Sequence, residues 1–251
     1  MAGHSKWAQI KRKKAKVDAQ RGKVFTRLSR EIIVAARQGG GDPEANPRLK
    51  AAIQRAKEAN IPLENIQRAI QKGTGEIGGG GYEEVTYEGY GPGGVALLIK
   101  VTTDNRNRTA AEVRHILGKY GGSLGEAGCV AWLFQPKGLI TVDKKSGFSE
   151  ENLFLLALDS GAEDFREGDD AFELTTAPED LARVKAILEE QGVPVTEAEI
   201  SFVPQTLVPV TGEKGLRVLR LLQHLEELDD VEAVYANFDI PPEIMEKAAA
   251  E

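Results

Sequence analysis

The chain has 251 residues, room for two or three domains with real cores and far more than a disulfide-dependent mini-fold needs. Hydrophobic residues at 41% and charged residues at 28% match soluble globular usage, which excludes a membrane bundle and a wholly disordered chain. The net charge of -7 hides a partition: residues 1–75 hold 17 Lys and Arg against 6 Asp and Glu, a balance of +11, so the remainder carries -18. A basic head on an acidic body points to a polyanion-binding module tethered to something that does not bind polyanions.

The first thirty residues carry Lys6, Lys11, Arg12, Lys13, Lys14, Lys16, Arg21, Lys23, Arg27 and Arg30 against Asp18 alone, with Trp7 among them. Around residues 11–16 apolar side chains are few, so this arm is expected to gain order only when something neutralises it. A helix is predicted over 23–38, with Val24, Phe25, Leu28, Ile32, Ala35 and Ala36 inward and Lys23, Arg27, Arg30 and Arg37 as a basic stripe toward solvent. Asn46 and Pro47 start a second helix with Leu49, Ala52, Ile53 and Ala56 inward. Pro62 opens a third with Leu63, Ile66 and Ile70 inward, stopping at Gly73. The head, residues 1–75, therefore reads as a basic helical nucleic-acid-binding domain, and a helix-turn-helix is one form it could take. The glycine-rich stretch that follows, counted as a linker over 76–81, is expected to let head and body move relative to each other.

In the body, Val85 and Tyr87 mark a strand, and 95–102 is a nearly all-apolar central one. Gly89, Gly91 and Gly94 between them satisfy G-x-G-x-x-G, but a strand follows where the dinucleotide fingerprint requires a helix, so the segment is a tight turn. Thr109 with Glu112 reads as a capping box opening a helix with Val113, Ile116, Leu117 and Tyr120 inward. A strand over 130–134 would be the third. A leucine-patterned helix over 214–228 and a strand alternating at Val234, Ala236 and Phe238 would close that sheet as a split βαβ lobe. Between these pieces the order β-α-β-β-α-β reads as an inserted ferredoxin-like unit. The fold class is thus multidomain α+β. A helical head is followed by a discontinuous lobe, 82–135 plus 206–240, with a second lobe, 136–205, inserted in it, and 241–251 is a tail.

No catalytic signature emerges. His4, His115 and His224 have no metal-ligand spacing, Cys129 is the sole cysteine, and neither a P-loop nor G-x-S-x-G occurs. No catalytic residue, metal or cofactor is expected. The apolar runs at 95–99 and 153–158 fall far below the roughly 20 residues of a spanning helix, and the N-terminus has no apolar leader segment, so a cytoplasmic protein without membrane association is expected. One stretch departs from the acidity of the body: Asn105, Arg106, Asn107 and Arg108, beside Thr109. Helix-start N–H groups and guanidinium forks suit phosphate or carboxylate, making this loop a second candidate contact. The plainer reading is that Asp104 and Asn105 shape the turn while Thr109 caps.

Three separated segments, MAGHSKWAQIKRKKAKVDAQRGKVFTRL, NIPLENIQRAIQKGTGE and VTTDNRNRTAAEVRHIL, resemble the YebC family closely, in order and across the chain. The resemblance implies a three-domain cytosolic protein with a helical N-terminal domain and two α+β domains, described as a DNA-binding regulator of transcription. It also brings in relatives that act on the ribosome, among them a mitochondrial translational activator of cytochrome oxidase and members that relieve stalling at proline-rich stretches. The leading expectation is a non-enzymatic nucleic-acid-binding regulator of gene expression acting on DNA. The alternative is a ribosome-associated translation factor whose arm and 105–108 loop meet ribosomal RNA, with Trp7 stacking on an unpaired base. An enzyme holding a nucleotide in the glycine-rich turn has no motif behind it.

Overall fold

The computed structural model describes residues 7, 17–78, 81–168 and 171–250. The chain divides into two units, one formed by Trp7–Ala131 with Val208–Glu251 and the other by Trp132–Leu207.

Among the described residues, three helices build the head: α1 (Val17–Gly39), α2 (Pro47–Glu58) and α3 (Leu63–Thr74). The run Ile32–Ala36 is wholly buried in α1, and Ile32, Ile33, Ala35 and Ala36 pack with Leu49, Ala52, Ala56, Ile61, Ile66 and Ala69. Val24, expected inside, is instead 39% exposed, because the packed face begins with Phe25 and Leu28. Asn46 ties the first two helices together. Its side-chain amide donates to Ala35 O and Gly40 O at 2.9 Å while its Oδ1 accepts from Leu49 N, so one buried residue caps α2 and satisfies the end of α1. Helix α3 approaches α1 at Gly73, where a Cβ would lie 2.5 Å from Ile33 O and 2.7 Å from the Ala36 Cβ. Only glycine permits that spacing.

In the same unit, β1 (Glu83–Tyr90), β2 (Ala96–Thr103), α4 (Arg106–Lys119) and β3 (Ser123–Leu124) precede the insertion; β8 (Val208–Pro209), α7 (Gly212–Glu227), β9 (Val231–Ala236), β10 (Phe238–Asp239) and α8 (Pro242–Ala250) follow it. The sheet is antiparallel with order β3-β1-β2-β9. Its register sets Tyr87, Ile99 and Val234 in one row and Gly89, Leu97 and Ala236 in another. Those rows face Val113 and Leu117 of α4 and Val218, Leu219, Leu222 and Leu225 of α7 in a single core. The order of the sheet strands and their two helices, β-β-α-β-α-β, is the one expected, but the hairpin strands β1 and β2 both lie at the centre, so the sheet order is not that of a split βαβ unit. The expected strand over 130–134 is also absent. The buried Glu88 carboxylate takes the N–H groups of Gly128, Val130 and Ala131 at 2.6–2.8 Å, turning that segment into a loop, and β3 supplies the edge instead. The stretch expected as a tail is α8, whose Met245 and Ala248 enter the core.

The inserted unit contains β4 (Phe134–Asp143), α5 (Glu150–Ser160), β5 (Asp164–Glu167), β6 (Ala171–Thr176), α6 (Leu181–Glu190) and β7 (Val195–Pro204). Its sheet is antiparallel in the order β5-β6-β4-β7, with both helices contributing to one core around Ile140, Leu153, Leu174, Val184 and Leu188.

The head does not hang free across the glycine-rich segment. Tyr82, just before β1, packs on the helical core and lies under the Arg30 guanidinium, 5.2 Å from its ring centroid. Arg48 of α2 forms a two-pronged pair with Glu84 of β1. The main joint is Asp230, whose side chain is 4% exposed. It accepts from Thr103 at 3.0 Å, Thr109 at 2.6 Å and Arg108 at 2.7 Å, and pairs with Arg30 at 3.2 Å. Burial alone would push this carboxyl up, but Thr109, Arg108 and Thr103 hold it below the ordinary aspartate range.

The core also contains Trp7, which is 1% exposed and whose indole N–H has no acceptor among the described residues. Trp7→Ala is therefore expected to lower stability by about 3–5 kcal/mol, and Trp7→Phe by far less, since it refills most of the space without a polar atom; thermal unfolding separates the two. For Asp230→Asn the expected loss at neutral pH is on the order of 3 kcal/mol, because Arg30 is left without its partner. A depressed carboxyl contributes its full stability above the unfolded value of about 3.9 and loses it as pH falls through the folded value. Urea unfolding of the wild type should thus show this loss in acid, and the Asn variant should lack that part of the pH dependence.

Candidate nucleic-acid interface

The candidate contacts separate into three groups once their partners are known. Lys6, Lys11, Arg12, Lys13, Lys14 and Lys16 lie outside the described residues, and Arg21 is placed only as backbone of α1. Trp7 is not offered for stacking: its ring belongs to the core beneath the sheet, which corrects the expectation of an exposed aromatic in the arm.

The basic stripe of α1 is split between two tasks. Lys23 donates to Glu227 O at 2.7 Å, and Arg30 donates to Asp229 O while pairing with Asp230. Glu227 ends α7, so Lys23 satisfies a carbonyl at the negative end of that helix, as a basic side chain at a C-terminus does. Arg30 is 14% exposed, and its charge is committed inside the protein, not turned to solvent as the periodicity suggested. Arg37 reaches Tyr82 O at 3.4 Å. Of the stripe, Arg27 alone is exposed with no ion-pair or hydrogen-bond partner among the described residues.

At the second candidate site, Asn105 is the N-cap of α4: its side chain accepts from Arg108 N at 3.1 Å. The expected cap, Thr109, lies a turn inside the helix, where its hydroxyl is buried against Asp230 and Thr103. The two guanidinium groups are occupied by carboxylates of the same chain. Arg106 bonds Glu83 at 2.6 Å, and Arg108 bonds Asp104 at 2.9 Å as well as Asp230. Asn107 is exposed on the first turn. The stretch is at least a folding joint, its arginines held by the protein's own acids while their side chains stay 59% and 45% exposed.

Cations absent from these expectations stand out in the head. Arg68 and Lys72 of α3 are exposed, one turn apart, and neither has an ion pair among the described residues. They line a groove between α1 and α3 with Ser29, Ile33, Asn65 and Ala69. Their spacing of four within a helical pattern was visible in the sequence, but the eye goes to the denser cluster in the arm.

The perturbed groups serve the fold. Burial would raise Glu88, and the N–H groups of Gly128, Val130 and Ala131 bring it below its usual value. Burial, offset in part by Arg55, pushes Glu31 up. The Cys129 thiol is raised by burial and by Glu88, the opposite of what a nucleophilic thiolate needs. No group of three or more possible metal ligands and no membrane-spanning helix occurs among the described residues.

Residues 5–76 match the TACO1/YebC protein N-terminal domain, and residues 82–238 match the TACO1/YebC second and third domain. A protein of Pelotomaculum thermopropionicum named "Probable transcriptional regulatory protein" is 65% identical over 241 residues, covering 96% of this chain and 99% of its own. One with the same name from Carboxydothermus hydrogenoformans is 61% identical over 242 residues, with the same coverage. The crystal structure of a conserved hypothetical protein from Aquifex aeolicus, 55% identical, superimposes with a TM-score of 0.82 over 90% of this chain and 93% of that one. The end-to-end resemblance in sequence, the two matched segments and the shared structure have one reading: the chain belongs to the TACO1/YebC family.

Proposed function

We propose that this protein is a non-enzymatic, nucleic-acid-binding regulator of gene expression that acts on DNA. The observation that carries the reading is the placement of charge: a helical head of balance +11 is joined to a remainder of -18. Within the described head, Arg27, Lys57, Arg68 and Lys72 are exposed and left over after the fold has taken its own salt bridges. Unneutralised cations on one module release counterions from a phosphate backbone, while the acidic lobes keep the rest of the surface away from it. The names carried by the relatives, probable transcriptional regulatory proteins, agree with this. The non-enzymatic part is supported by the perturbed carboxylates, Glu88 and Asp230, each consumed by bonds that hold loops and helices. We read the two α+β units as a three-domain protein's middle and inserted lobes, the inserted one of ferredoxin-like order, positioning the head or meeting a partner.

Crosslinking in growing cells, followed by sequencing of both the DNA and the RNA attached to the protein, tests the target. Discrete promoter-region DNA peaks are expected. Ribosomal RNA peaks clustered near one functional centre would replace the DNA reading with that of a ribosome-associated translation factor. In vitro, replacing Lys11, Arg12, Lys13 and Lys14 by Ala is expected to flatten the slope of log affinity against log salt by about 1 per lost phosphate contact, up to about 4. An unchanged slope would remove the arm from the interface.

A further inference from the structure

We propose that the groove between α1 and α3, lined by Ser29, Ile33, Asn65, Arg68, Ala69 and Lys72, is a seat for the phosphodiester backbone of a nucleic-acid strand. This deepens the functional reading above and rests on it.

The polar walls of the groove all carry hydrogen-bond donors: a hydroxyl, a carboxamide, a guanidinium and an ammonium, with no carboxylate among the lining residues. Two other grooves among the described residues differ in that respect. The one beside Lys23 and Arg27 includes Glu226 and Asp229, and the one across the inserted sheet includes Glu163, Asp164 and Glu173, so each meets an anion with negative charge. Glu64, one turn before Arg68, does not line the α1–α3 groove and forms no ion pair with Arg68 among the described residues.

Shape follows from the sequence. Asn65, Arg68, Ala69 and Lys72 stand at i, i+3, i+4 and i+7, one stripe of α3, while Ser29 and Ile33 stand at i and i+4 on α1. Ile33 and Ala69, 6% and 3% exposed, form an apolar floor suited to a sugar face, with the cations above it for the phosphates. The spacing of the two walls is fixed by Gly73, which brings α3 within contact of Ile33 O. Elsewhere in the head, Arg30, Arg48 and Arg55 are paired with Asp230, Glu84 and Glu31. Arg68 and Lys72 are spared that use, which is what a site for an external anion requires.

The test uses the full-length chain and three probes of matched length: a single-stranded RNA, the same sequence as single-stranded DNA, and duplex DNA. Affinity is measured across a salt series for the wild type, for Arg68→Gln/Lys72→Gln, and for Ser29→Phe, which blocks the groove without changing charge; thermal unfolding verifies that each variant folds. Expected is a slope against log salt smaller by about 2 in the double variant, and a loss of affinity of about tenfold or more in both variants on the preferred probe. Which probe loses most identifies the strand the groove holds. A wild type that binds with an unchanged slope in the double variant overturns the groove while leaving the functional reading in place. So does a loss confined to the double variant with Ser29→Phe unaffected, which would place the cations' effect outside the groove. A wild type that binds none of the three probes overturns the functional reading itself, and the inference with it.

Discussion

A single buried carboxylate joins parts of the chain that would otherwise have no reason to meet. Asp230 collects a hydroxyl from the end of β2, a hydroxyl and a guanidinium from the first turns of α4, and a guanidinium from the head helix. A carboxylate removed from water is costly unless every lone pair is answered, and here four donors answer it. Because the donors come from the β2–α4 junction and from the head helix α1, both remote in sequence from Asp230, the arrangement forms only when all of them are in place. The orientation of the head on the sheet follows from that requirement, with Arg48 on Glu84 and Tyr82 beneath Arg30 as secondary supports.

This use of charge changes how the basic head is to be understood. A count of lysines and arginines treats them as one population, yet they divide into cations that hold the molecule together and cations that face outward. Arg30 and Lys23 close the end of α7 and its following turn, Arg55 of α2 bridges to Glu31 of α1, and Arg106 and Arg108 are held by acids of the sheet lobe. The outward population within the described head is small and lies on α3, at Arg27 and at Lys57 of α2. Electrostatic attraction between head and body serves folding, and the same acidity screens the body from polyanions.

Much of the architecture was legible because local rules and tertiary structure agree. Asn46 followed by Pro47 announced α2, the inward residues of α4 and α7 were read correctly, and the β-α-β-β-α-β order of the insertion could be written from hydrophobic periodicity. The misreadings share one cause, a partner remote in sequence. Thr109 and Asn105 are both good caps on local grounds, and the choice is made by Asp230, which takes the Thr109 hydroxyl. Residues 130–134 are a short apolar run of the kind a strand offers, but the Glu88 carboxylate claims the N–H groups of Val130 and Ala131. Trp7 sits in a charged, sparsely apolar arm, and nothing nearby announces that its ring is core. The candidate site suffered in the same way, since a periodicity argument shows which residues share a face and not whether an acid elsewhere has already claimed them.

The ends of the inserted unit carry a last consequence. Gln205 N donates to Leu133 O at 2.8 Å, and Phe134 stands opposite Pro204 in the sheet, so the chain leaves the unit beside the point where it enters. An excursion that returns to its starting point makes little topological demand on its host: residues 131 and 208 need be no further apart than a short turn can span. The lobe is in that sense a graft. It can be lengthened, exchanged or trimmed through descent while the head, the Asp230 joint and the sheet remain a closed unit, leaving the chain free to vary what it meets without varying how its head is held.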